Sequence, residues 1–476
     1  LKNNMDYLAG TYLDYKTIKI EEIIGKKRGL QKNMRNIAPE KVKNYAAEDA
    51  DITFQLKEYF YPILEKEKLL DIFEKIEMPL VYVLTQMEHF GIILDVDFLK
   101  NYRKEIIEKI TTIEKEIYEI ADSQFNISSP KQLGDILFKK LKISDKPKLT
   151  KTKQFATGEP ELMKYKGKHP IIELIFDYRS LKKLITTYID ALPKLVNPKT
   201  NKLHASFNQA ITVTGRLSSN NPNLQNIPIR TTEGREIRKA FVPEDGNIFI
   251  DADYSQVELR LMAHLSKDKN MLTAFQENQD IHAQTAANIF NVHLNEVTSK
   301  MRNQAKTANF AMIYGSSAFG LSQNLNIPRS EAKTLIDNYF TTYPGVKEYM
   351  DKMIKTAREN KFVYTLMGRK RYLKDINSQN SLVRSNAEHN AINTPIQGSA
   401  ADIIKLAMIN IHKKIKELKL NTKMIIQVHD ELLFDVPLDE KETMIDLIKT
   451  EMENAVDISV PLIVDISDGK NWAEAH

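Results

Sequence analysis

The spacing of hydrophobic residues predicts long helices in the first two hundred residues. The first sixty or so residues are typical of helix and end in a predicted helix over Pro39–Tyr59. Further on, apolar side chains recur in steps of three and four, which is the period of one helix face. These side chains are Leu99, Tyr102, Ile106, Ile110, Ile113, Ile117 and Ile120.

A second long helix is predicted over Ile171–Leu192. The stretch before it, residues 144–170, is rich in Pro, Gly and Lys, which indicates an exposed basic tip. Two long helices joined by a basic tip predict a projecting arm rather than a compact core.

The second half of the chain carries short apolar runs that predict strands. Ile248–Ile250 predicts a short buried strand. Met424–Val428 and Leu432–Val436 are separated by three polar residues, and they predict a β-hairpin with acid at its turn. A polar loop is predicted over residues 212–226, and helices from about residue 256 to residue 417.

Composition narrows the class of protein. The 476 residues include no cysteine, which excludes disulfides, thiolate zinc sites, iron–sulfur clusters and cysteine nucleophiles. Hydrophobic residues at 42% and charged residues at 28% are typical of a globular chain with several subdomains. No apolar run approaches the roughly 18 to 20 residues that span a bilayer, and there is no signal peptide. We therefore expect a cytoplasmic protein, and a chain that opens at Leu1 is expected to be a fragment of a longer one.

Charge is balanced overall but not locally. The 68 basic and 63 acidic side chains leave a net charge of +5. Between Leu181 and Ala240, however, ten basic side chains accompany three acidic ones, and a second basic run covers residues 139–153. These segments form either a solvated basic face or a track for a polyanion with salt-dependent affinity.

One acidic segment follows the strand predicted at Ile248–Ile250. Asp253 is well placed to hold a hard cation, because a strand fixes it and a loop leaves it open. Alternatively, Asp253 caps the helix that follows. Ser255 and Glu258 have the spacing of a capping box, in which the glutamate accepts a hydrogen bond from the Ser255 backbone N–H.

A second acidic segment, Asp430-Glu431, lies at the turn of the predicted hairpin. Aspartate is common in turns, so a purely structural role is one interpretation. If the strand at Ile248–Ile250 joins the same sheet, Asp253 and Asp430 converge. Two such carboxylates could bridge two Mg²⁺ ions about 3.5–4 Å apart. The sequence specifies neither register nor strand order, so this geometry is a hypothesis.

Three residues at four-residue intervals form one face of a predicted helix. Arg302, Lys306 and Phe310 fall within an arc of about 80°, with Tyr314 at its edge. Such a face suits a nucleoside triphosphate, with cations on the phosphates and a ring on the base. The alternative is a basic outer face with an inward Phe310.

Together, these segments resemble the family A DNA polymerases, in the large-fragment (Klenow-like) region of bacterial DNA polymerase I. Residues 253–260 match polymerase motif A, residues 302–315 match motif B and residues 427–431 match motif C. Each motif is moderately specific, but all of them occur in the family's order along essentially the whole chain. The other matching segments are Thr214–Ser219, Pro222–Pro228, Asn393–Gly398 and Asn471–His476.

The resemblance implies an α+β fold of the right-hand polymerase type. It has a palm with an antiparallel sheet, helical fingers and a helical thumb, preceded by a truncated exonuclease-like domain. The implied boundaries are 1–65 for the exonuclease remnant, 66–200 for the thumb with linking helices, 201–261 and 392–476 for the palm, and 262–391 for the fingers.

The resemblance also implies roles for individual residues. Two Mg²⁺ ions, which Mn²⁺ can replace, would be held by Asp253, Asp430 and the Tyr254 carbonyl. The catalytic set is Asp253, Asp430, Glu431 and Lys306, with Glu431 as an accessory acid. The nucleotide-binding set is Arg302, Lys306, Phe310, Tyr314, His282, Arg230, Gln256 and Glu258. The DNA-binding set is Arg216, Asn223, Gln225, Asn226, Asn393, Gln397 and His429.

Three positions carry further expectations from the resemblance. Glu258 would crowd the sugar 2′ position, so that ribonucleotides are refused. Phe310, where some relatives have tyrosine, resembles members that discriminate against dideoxynucleotides. His389 stands where many relatives have arginine, so a template or minor-groove contact of the family is not carried over to it.

Near the N-terminus, Tyr45 and Asp49 lie in a segment similar to the third motif of the family's 3′–5′ exonuclease. They would orient water and metal, but two-metal hydrolysis needs several converging carboxylates. The acids of the first two motifs would lie upstream of Leu1, so no proofreading is expected from this chain.

The function that the resemblance implies is template-directed DNA synthesis in replication and repair. The expected partners are primer–template DNA and dNTPs. The chain is expected to be a cytoplasmic, nucleoid-associated monomer without a membrane partner. Three alternatives stay open. A single-subunit RNA polymerase is disfavoured by Glu258, a nuclease requires partner acids for Asp49, and a silent DNA-binding protein requires a misplaced Asp253 or Asp430.

Overall fold

The computed structural model describes residues 3–26, 29–229 and 231–476. Within these ranges the chain forms twenty α-helices and eleven β-strands, and its largest sheet has four strands. None of the helices in this part of the chain has the length and apolar character to cross a membrane. The α+β expectation is confirmed.

The described part of the first sixty or so residues is mostly helical, as predicted. The main helix begins at Pro39, where proline suits the first turn, and it runs past the predicted end at Tyr59. Ala9, Ile52 and Leu56 form a small core of their own. The helices are Met5–Tyr12 (α1), Ile20–Ile24 (α2), Pro39–Lys66 (α3) and Leu70–Ile72 (α4).

The predicted arm consists of two packed helices. In the first, Leu99, Ile106 and Ile117 are fully buried, and the Asp95 carboxylate caps the N-terminus by accepting the Phe98 N–H at 2.8 Å. The second helix is α-helical over Pro170–Leu184 and continues as a π-helical turn over Ile185–Ile189, so it ends close to the predicted Leu192. The elements of this region are Met78–Phe90 (α5), Ile92–Leu94 (β1), Val96–Ala121 (α6), Pro130–Gly134 (α7), Glu159–Leu162 (α8) and Pro170–Leu184 (α9).

The segment between the arm and the main sheet forms short strands and one helix. β1 pairs with two of these strands, and the other two pair with each other. The elements are Lys202–Leu203 (β2), Ser206–Asn208 (β3), Ser218–Asn220 (β4), Thr232–Arg238 (α10) and Phe241–Val242 (β5).

The main sheet begins with Asn247–Tyr254 (β6), which is longer than the predicted Ile248–Ile250. Asp251 and Asp253 therefore lie within the strand rather than after it. Side chains alternate across the sheet. Ile250 and Ala252 belong to one large hydrophobic cluster, and Phe249 belongs to another.

The region after β6 is mostly helical, as predicted, but it also contains a hairpin that the pattern did not predict. The helices are Val257–Ser266 (α11), Lys269–Gln276 (α12), Ile281–Phe290 (α13), Ser299–Ile313 (α14), Ala318–Leu325 (α15), Arg329–Thr342 (α16), Pro344–Asn360 (α17) and, after the hairpin, Ser381–Glu417 (α18). The hairpin strands are Phe362–Tyr364 (β7) and Lys370–Tyr372 (β8).

The chain ends with the rest of the main sheet. The predicted hairpin is confirmed, and the strand order is β11-β6-β10-β9, with every neighbouring pair antiparallel. The elements are Lys423–Val428 (β9), Glu431–Pro437 (β10), Lys441–Glu453 (α19), Val464–Gly469 (β11) and Trp472–Ala475 (α20).

A buried group of four charges joins the base of the arm to the unpredicted hairpin and to α18. Glu77, just before α5, accepts hydrogen bonds from Lys405 at 2.7 Å and from Arg369. The Arg369 guanidinium also donates to Asp402 at 2.6 Å. Asp402 and Lys405 are fully buried, so each charge in this group depends on its partners.

Candidate functional site

Four carboxylates meet at one end of the main sheet. The register sets Glu431 opposite Asp253 and sets Leu433 opposite Asp251. Asp251, Asp253 and Glu431 therefore share one face. Asp430 lies in the turn before β10, and its backbone carbonyl accepts the Tyr254 N–H at 3.3 Å. The structure thus brings Asp253 and Asp430 together from distant parts of the chain.

Asp253 and Asp430 are crowded acidic side chains without a cation paired to them in the described residues. Burial, and then the charges of Asp430, Glu431 and Asp251, raise the pKa of Asp253 to about 8. Burial also raises the pKa of Asp430, although a backbone hydrogen bond and Arg216 act in the opposite direction. In the part of the chain that the structure describes, neither carboxylate has an ion-pair partner. Crowded, half-buried oxygen donors of this kind fit a divalent cation such as Mg²⁺.

Glu431 is held in a different way. Its carboxylate accepts the Trp472 indole N–H at 2.8 Å and lies 3.7 Å from the Arg238 guanidinium and 3.4 Å from the His476 ring. Burial alone would raise the pKa of Glu431, but His476 and Arg238 lower it. Glu431 is therefore held by one hydrogen bond, from Trp472, and by two nearby cationic side chains.

Two residues at this end of the main sheet, Asp251 and His476, were not among the predicted site residues. Within the described ranges, Asp251, Glu431 and His476 form the only trio of acidic or imidazole side chains whose ligand atoms lie within 4.8 Å of one another. His476 Nδ1 is 2.9 Å from the Asp251 carboxylate, and these contacts raise the pKa of His476 to about 9. The alternation of β6 could have indicated Asp251, which lies two residues before Asp253 on the same face. No local signal indicates the contact of His476.

The capping box predicted for Ser255 and Glu258 is wrong. α11 begins at Val257 with Gln256 as its N-cap, so Glu258 is one position too early for the box. Gln256 adopts a left-handed backbone conformation with φ of 56°. The Ser255 N–H instead donates to a backbone carbonyl from the segment before β11, at 2.8 Å.

The Glu258 carboxylate joins residues from three predicted motifs. It accepts hydrogen bonds from Arg216 at 2.6 Å and from the Tyr314 hydroxyl at 3.0 Å. Burial raises the pKa of Glu258, and both partners act against that rise. The Tyr314 hydroxyl also contacts the Gln397 side chain. Arg216, predicted to contact DNA, is therefore also a support for Glu258.

The face predicted on α14 is present and extends towards α13. Arg302 Nε donates to Asp280 Oδ2 at 2.7 Å, and Asp280 Oδ1 accepts the His282 backbone N–H at 3.0 Å. Lys306 is exposed, and no ion-pair partner is found for it in the described ranges. Tyr314 follows the last residue of α14. Asp280, which was not predicted, thus sets the positions of Arg302 and His282.

The other predicted site residues differ in their hydrogen bonds and in their exposure. The Gln225 amide donates to the backbone carbonyl and the side chain of Gln427, at 3.1 and 3.2 Å. Asn223 accepts the Gln225 N–H as a local cap, and His429 is exposed. Asn226 is exposed, Phe310 and Asn393 are half-buried, and Arg230 lies outside the described residues.

The exonuclease-like segment brings Tyr45 and Asp49 close together, and burial and then the Asp49 carboxylate raise the pKa of Tyr45. The trio at the main sheet is the only one of its kind in the described ranges, so no trio of metal-binding side chains gathers at Asp49. Partner acids of the kind that the nuclease alternative requires are not found in this part of the chain.

Comparison with known proteins gives the following similarities. A family model described as DNA polymerase family A matches residues 96–474, and one described as 3′–5′ exonuclease matches residues 2–65. DNA polymerase I of Caldicellulosiruptor bescii is 51% identical over 404 residues, which cover 85% of this chain and 47% of that protein. DNA polymerase I of Pseudomonas aeruginosa is 45% identical over 484 residues, which cover 100% of this chain and 52% of that protein. The chain spans about half the length of these curated relatives.

The chain is similar over its whole length to a solved polymerase structure. That structure is the POL domain of Pol1 from M. smegmatis in complex with DNA primer-template and dNTP. Its TM-score is 0.88 at 37% sequence identity, and the match covers 100% of this chain and 79% of that one. This likeness confirms the predicted right-hand fold, with an exonuclease-like segment at its N-terminal side.

Proposed function

This chain belongs to DNA polymerase family A, and on that premise we propose that it catalyses template-directed DNA synthesis in replication and repair. The primer 3′-hydroxyl oxygen forms a bond to the α-phosphorus of a dNTP, and the bond to pyrophosphate breaks. The observation that carries the proposal is the pair Asp253 and Asp430, which meet at one end of the sheet without a compensating cation. The complex of the similar polymerase domain with primer-template and dNTP supports these partners.

We propose that Asp253, Asp430 and the Tyr254 carbonyl hold two Mg²⁺ ions, which Mn²⁺ can replace. When bound, such ions activate the attacking oxygen and neutralise charge on the leaving pyrophosphate. The chain's own contribution is positional. The register of β6 and β10 fixes Asp253 and the turn places Asp430, while Glu431 stays anchored on Trp472 as an accessory acid.

The triphosphate is proposed to bind along α14. Arg302 and Lys306 would neutralise its charge, with Phe310 against the base. Glu258 is proposed to crowd the sugar 2′ position. Its hydrogen bonds from Arg216 and Tyr314 support this, because they hold the carboxylate in one place.

We propose the division into subdomains that the sequence predicts. The thumb is assigned to residues 66–200, the palm to 201–261 and 392–476, and the fingers to 262–391. The basic arm tip and the DNA-binding set would contact backbone phosphates and the minor groove, so that affinity is largely independent of sequence. A nucleoid-associated monomer and the lack of proofreading by this chain also stay predictions. Release of mismatched terminal nucleotides by the purified chain would contradict the last of these.

Extension of a recessed primer–template with Mg²⁺ tests the proposed function. We expect templated addition of dNTPs, far less addition of rNTPs, and no extension by Asp430→Ala. Asp468→Asn is the matched control, because Asp468 lies in the same sheet but is exposed and paired with Lys441. No extension by the wild-type chain, or full activity of Asp430→Ala, would reject the proposal.

A further inference from the structure

A cavity of about 280 Å³ opens where α5, the C-terminal end of α18 and the beginning of β9 meet. That volume is close to the lower limit of about 300 Å³ for small-molecule sites, so its occupant is a small molecule. No residue that lines the cavity is among the residues proposed for polymerase activity. The apolar side chains of the cavity are Val83, Met87, Phe90, Ile415, Leu420 and Met424.

The apolar wall of this cavity favours an aromatic ligand. Val83 and Met87 are 1% exposed and Met424 is 4% exposed, so these side chains are packed into the core. Phe90 is half-buried, and its ring can pack against another ring by stacking or edge to face. The polarizable sulfur atoms of Met87 and Met424 also make favourable contacts with aromatic rings. A flat ring system therefore suits the wall.

The charged side chains found at the cavity are lysines. Lys416, Lys419 and Lys423 line it, and within the described residues no acidic side chain does. Lys423 is paired with Glu244, and its Nζ lies 5.9 Å from the centre of the Phe90 ring. Lys416 and Lys419 are exposed, and no ion pair is found for either of them in the described ranges. A cavity lined by charges of one sign attracts a ligand of the opposite sign.

The acidic side chains next to the cavity have other partners. Glu417 accepts a hydrogen bond from Lys414 at 3.0 Å. Glu440 accepts the backbone N–H of Asn421 at 2.7 Å and that of Thr422 at 2.9 Å. Neither carboxylate lines the cavity, so the positive charge of its two free lysines is not compensated there.

His412 adds an unpaired polar group to the lining of the cavity. Its Nε2 is buried, and no hydrogen-bond partner is found for this nitrogen in the described part of the chain. Burial, and then the charge of Lys416, lower the pKa of His412, so the ring is neutral at pH 7 and the lysines alone supply the charge. Buried polar groups are normally hydrogen-bonded, and a polar atom of a ligand would provide the missing partner.

We propose that this cavity is a binding site for a small aromatic acid. The ring system of the ligand packs against Phe90 and the two methionines, and its anionic group lies beside Lys416 and Lys419. Three features support the proposal, namely the cavity itself, its aromatic and thioether wall, and its uncompensated positive charge. The proposal does not rest on the polymerase function, because the two sites share no residue.

Nuclear magnetic resonance of the chain labelled with ¹³C-methyl methionine tests the site directly, with 2-naphthoate as the probe. We expect the Met87 and Met424 signals to shift as the probe is added, and the Met5 signal, from the small N-terminal core, to stay in place. Each signal is assigned by its loss in the corresponding Met→Leu variant. Two further probes separate charge from shape. 1-Naphthylmethylamine has the same rings with a cation, and octanoate is an anion without rings. We expect both to bind about tenfold more weakly or less.

Variants of the cavity provide the second measurement. Lys416→Gln combined with Lys419→Gln should weaken 2-naphthoate binding about fivefold or more, because two cations are lost. Lys413→Gln combined with Lys414→Gln removes the same charge from the same end of α18 outside the cavity, so binding should stay within about twofold of the wild type. Leu420→Trp fills the cavity and should abolish the shifts, whereas Leu418→Trp, at an exposed position, should leave them unchanged.

The proposal is wrong if millimolar 2-naphthoate leaves the Met87 and Met424 signals in place. Equal affinity for 1-naphthylmethylamine, or unchanged affinity in the variant that lacks Lys416 and Lys419, would also overturn it. Equal affinity for octanoate would overturn the aromatic character of the ligand. The lysine variant changes exposed side chains only, so it keeps the test valid if Leu420→Trp does not fold. Primer extension by the lysine variant without the probe should equal that of the wild type, which separates this site from the polymerase site.

Discussion

The chain has two buried groups of charged side chains. In one group the carboxylates are paired with cations, and in the other they are not. Around Glu77, two carboxylates bond to two cations, Arg369 and Lys405. At the end of the main sheet, Asp253 and Asp430 are crowded together, and no cation pairs with either of them in the described ranges. Removing a charge from water is costly unless a partner compensates. In the matched group each charge therefore depends on its partners, and we propose that a bound cation completes the unmatched pair.

The four carboxylates at the end of the main sheet show the same contrast between paired and unpaired charges. His476 and Arg238 compensate Asp251 and Glu431, which are the most deeply buried of the four. Asp253 and Asp430 are left without such partners. The uncompensated carboxylates are also the two that we propose as metal ligands.

The largest effect is expected from Asp253→Asn, which removes one unmatched charge and keeps the shape of the side chain. Primer extension should fall by about 10³-fold or more, since an electrostatic contact to the reacting groups is lost. The temperature of unfolding without metal should not fall, because a buried charge repulsion is relieved. Single-turnover extension and thermal unfolding measure the two effects, with Asp468→Asn as the control. A rate near that of the wild type would show that Asp253 is not a metal ligand.

The opposite pattern is expected from Glu77→Gln in the matched group. Arg369 and Lys405 lose their shared carboxylate, so the free energy of unfolding should fall by about 3 kcal/mol. Extension at a temperature where the variant is folded should stay within about threefold of the wild type. Urea unfolding measures the change, and Glu74→Gln, an exposed neighbour, is the control. Stability equal to the wild type would show that this group does not hold the fold.

The pH dependence of stability should reveal the uncompensated burial of Asp253 by its sign. The pKa of Asp253 rises from 3.8 to about 8 on folding. Between these values the unfolded chain is ionised at this residue while the folded chain keeps its proton. The free energy of unfolding therefore falls as pH rises from about 4 to about 8, by on the order of 1 kcal/mol or more.

Unfolding of the metal-free wild type and of Asp253→Asn across this range measures that effect. The stability of the variant relative to the wild type should grow with pH, and added Mg²⁺ should restore the wild type at pH 8. A stability difference that shrinks as pH rises, or no response to Mg²⁺, would contradict the assignment of unmatched charge.

The smallest effect is expected from a matched but exposed pair. Lys347 and Asp351 are one helical turn apart on α17, at 3.0 Å. Asp351→Asn should change the free energy of unfolding by less than about 0.5 kcal/mol, because water screens the pair. A loss as large as that of Glu77→Gln would mean that burial is not what makes the Glu77 group important.

Local pattern was sufficient for most elements and for the residue types of the proposed site. The three- and four-residue spacing predicted α6, and the apolar runs around Asp430 predicted the hairpin of β9 and β10, because both signals are carried by neighbours in sequence. The hairpin of β7 and β8 was missed, since its strands are only three residues long. The capping box is the opposite kind of error, because it was predicted and is absent. Its spacing was present, but the chain enters α11 one residue later than the pattern requires.

The amino-acid sequence alone therefore predicted most of the elements, the family resemblance and the residue types of the proposed site. Only the tertiary structure decided which charges have partners. Trp472 and His476 reach Glu431 from the C-terminal segment. Those contacts depend on strand register and helix packing, which arise from burial of distant segments against each other. No local pattern contains that information, because it belongs to the packed chain as a whole.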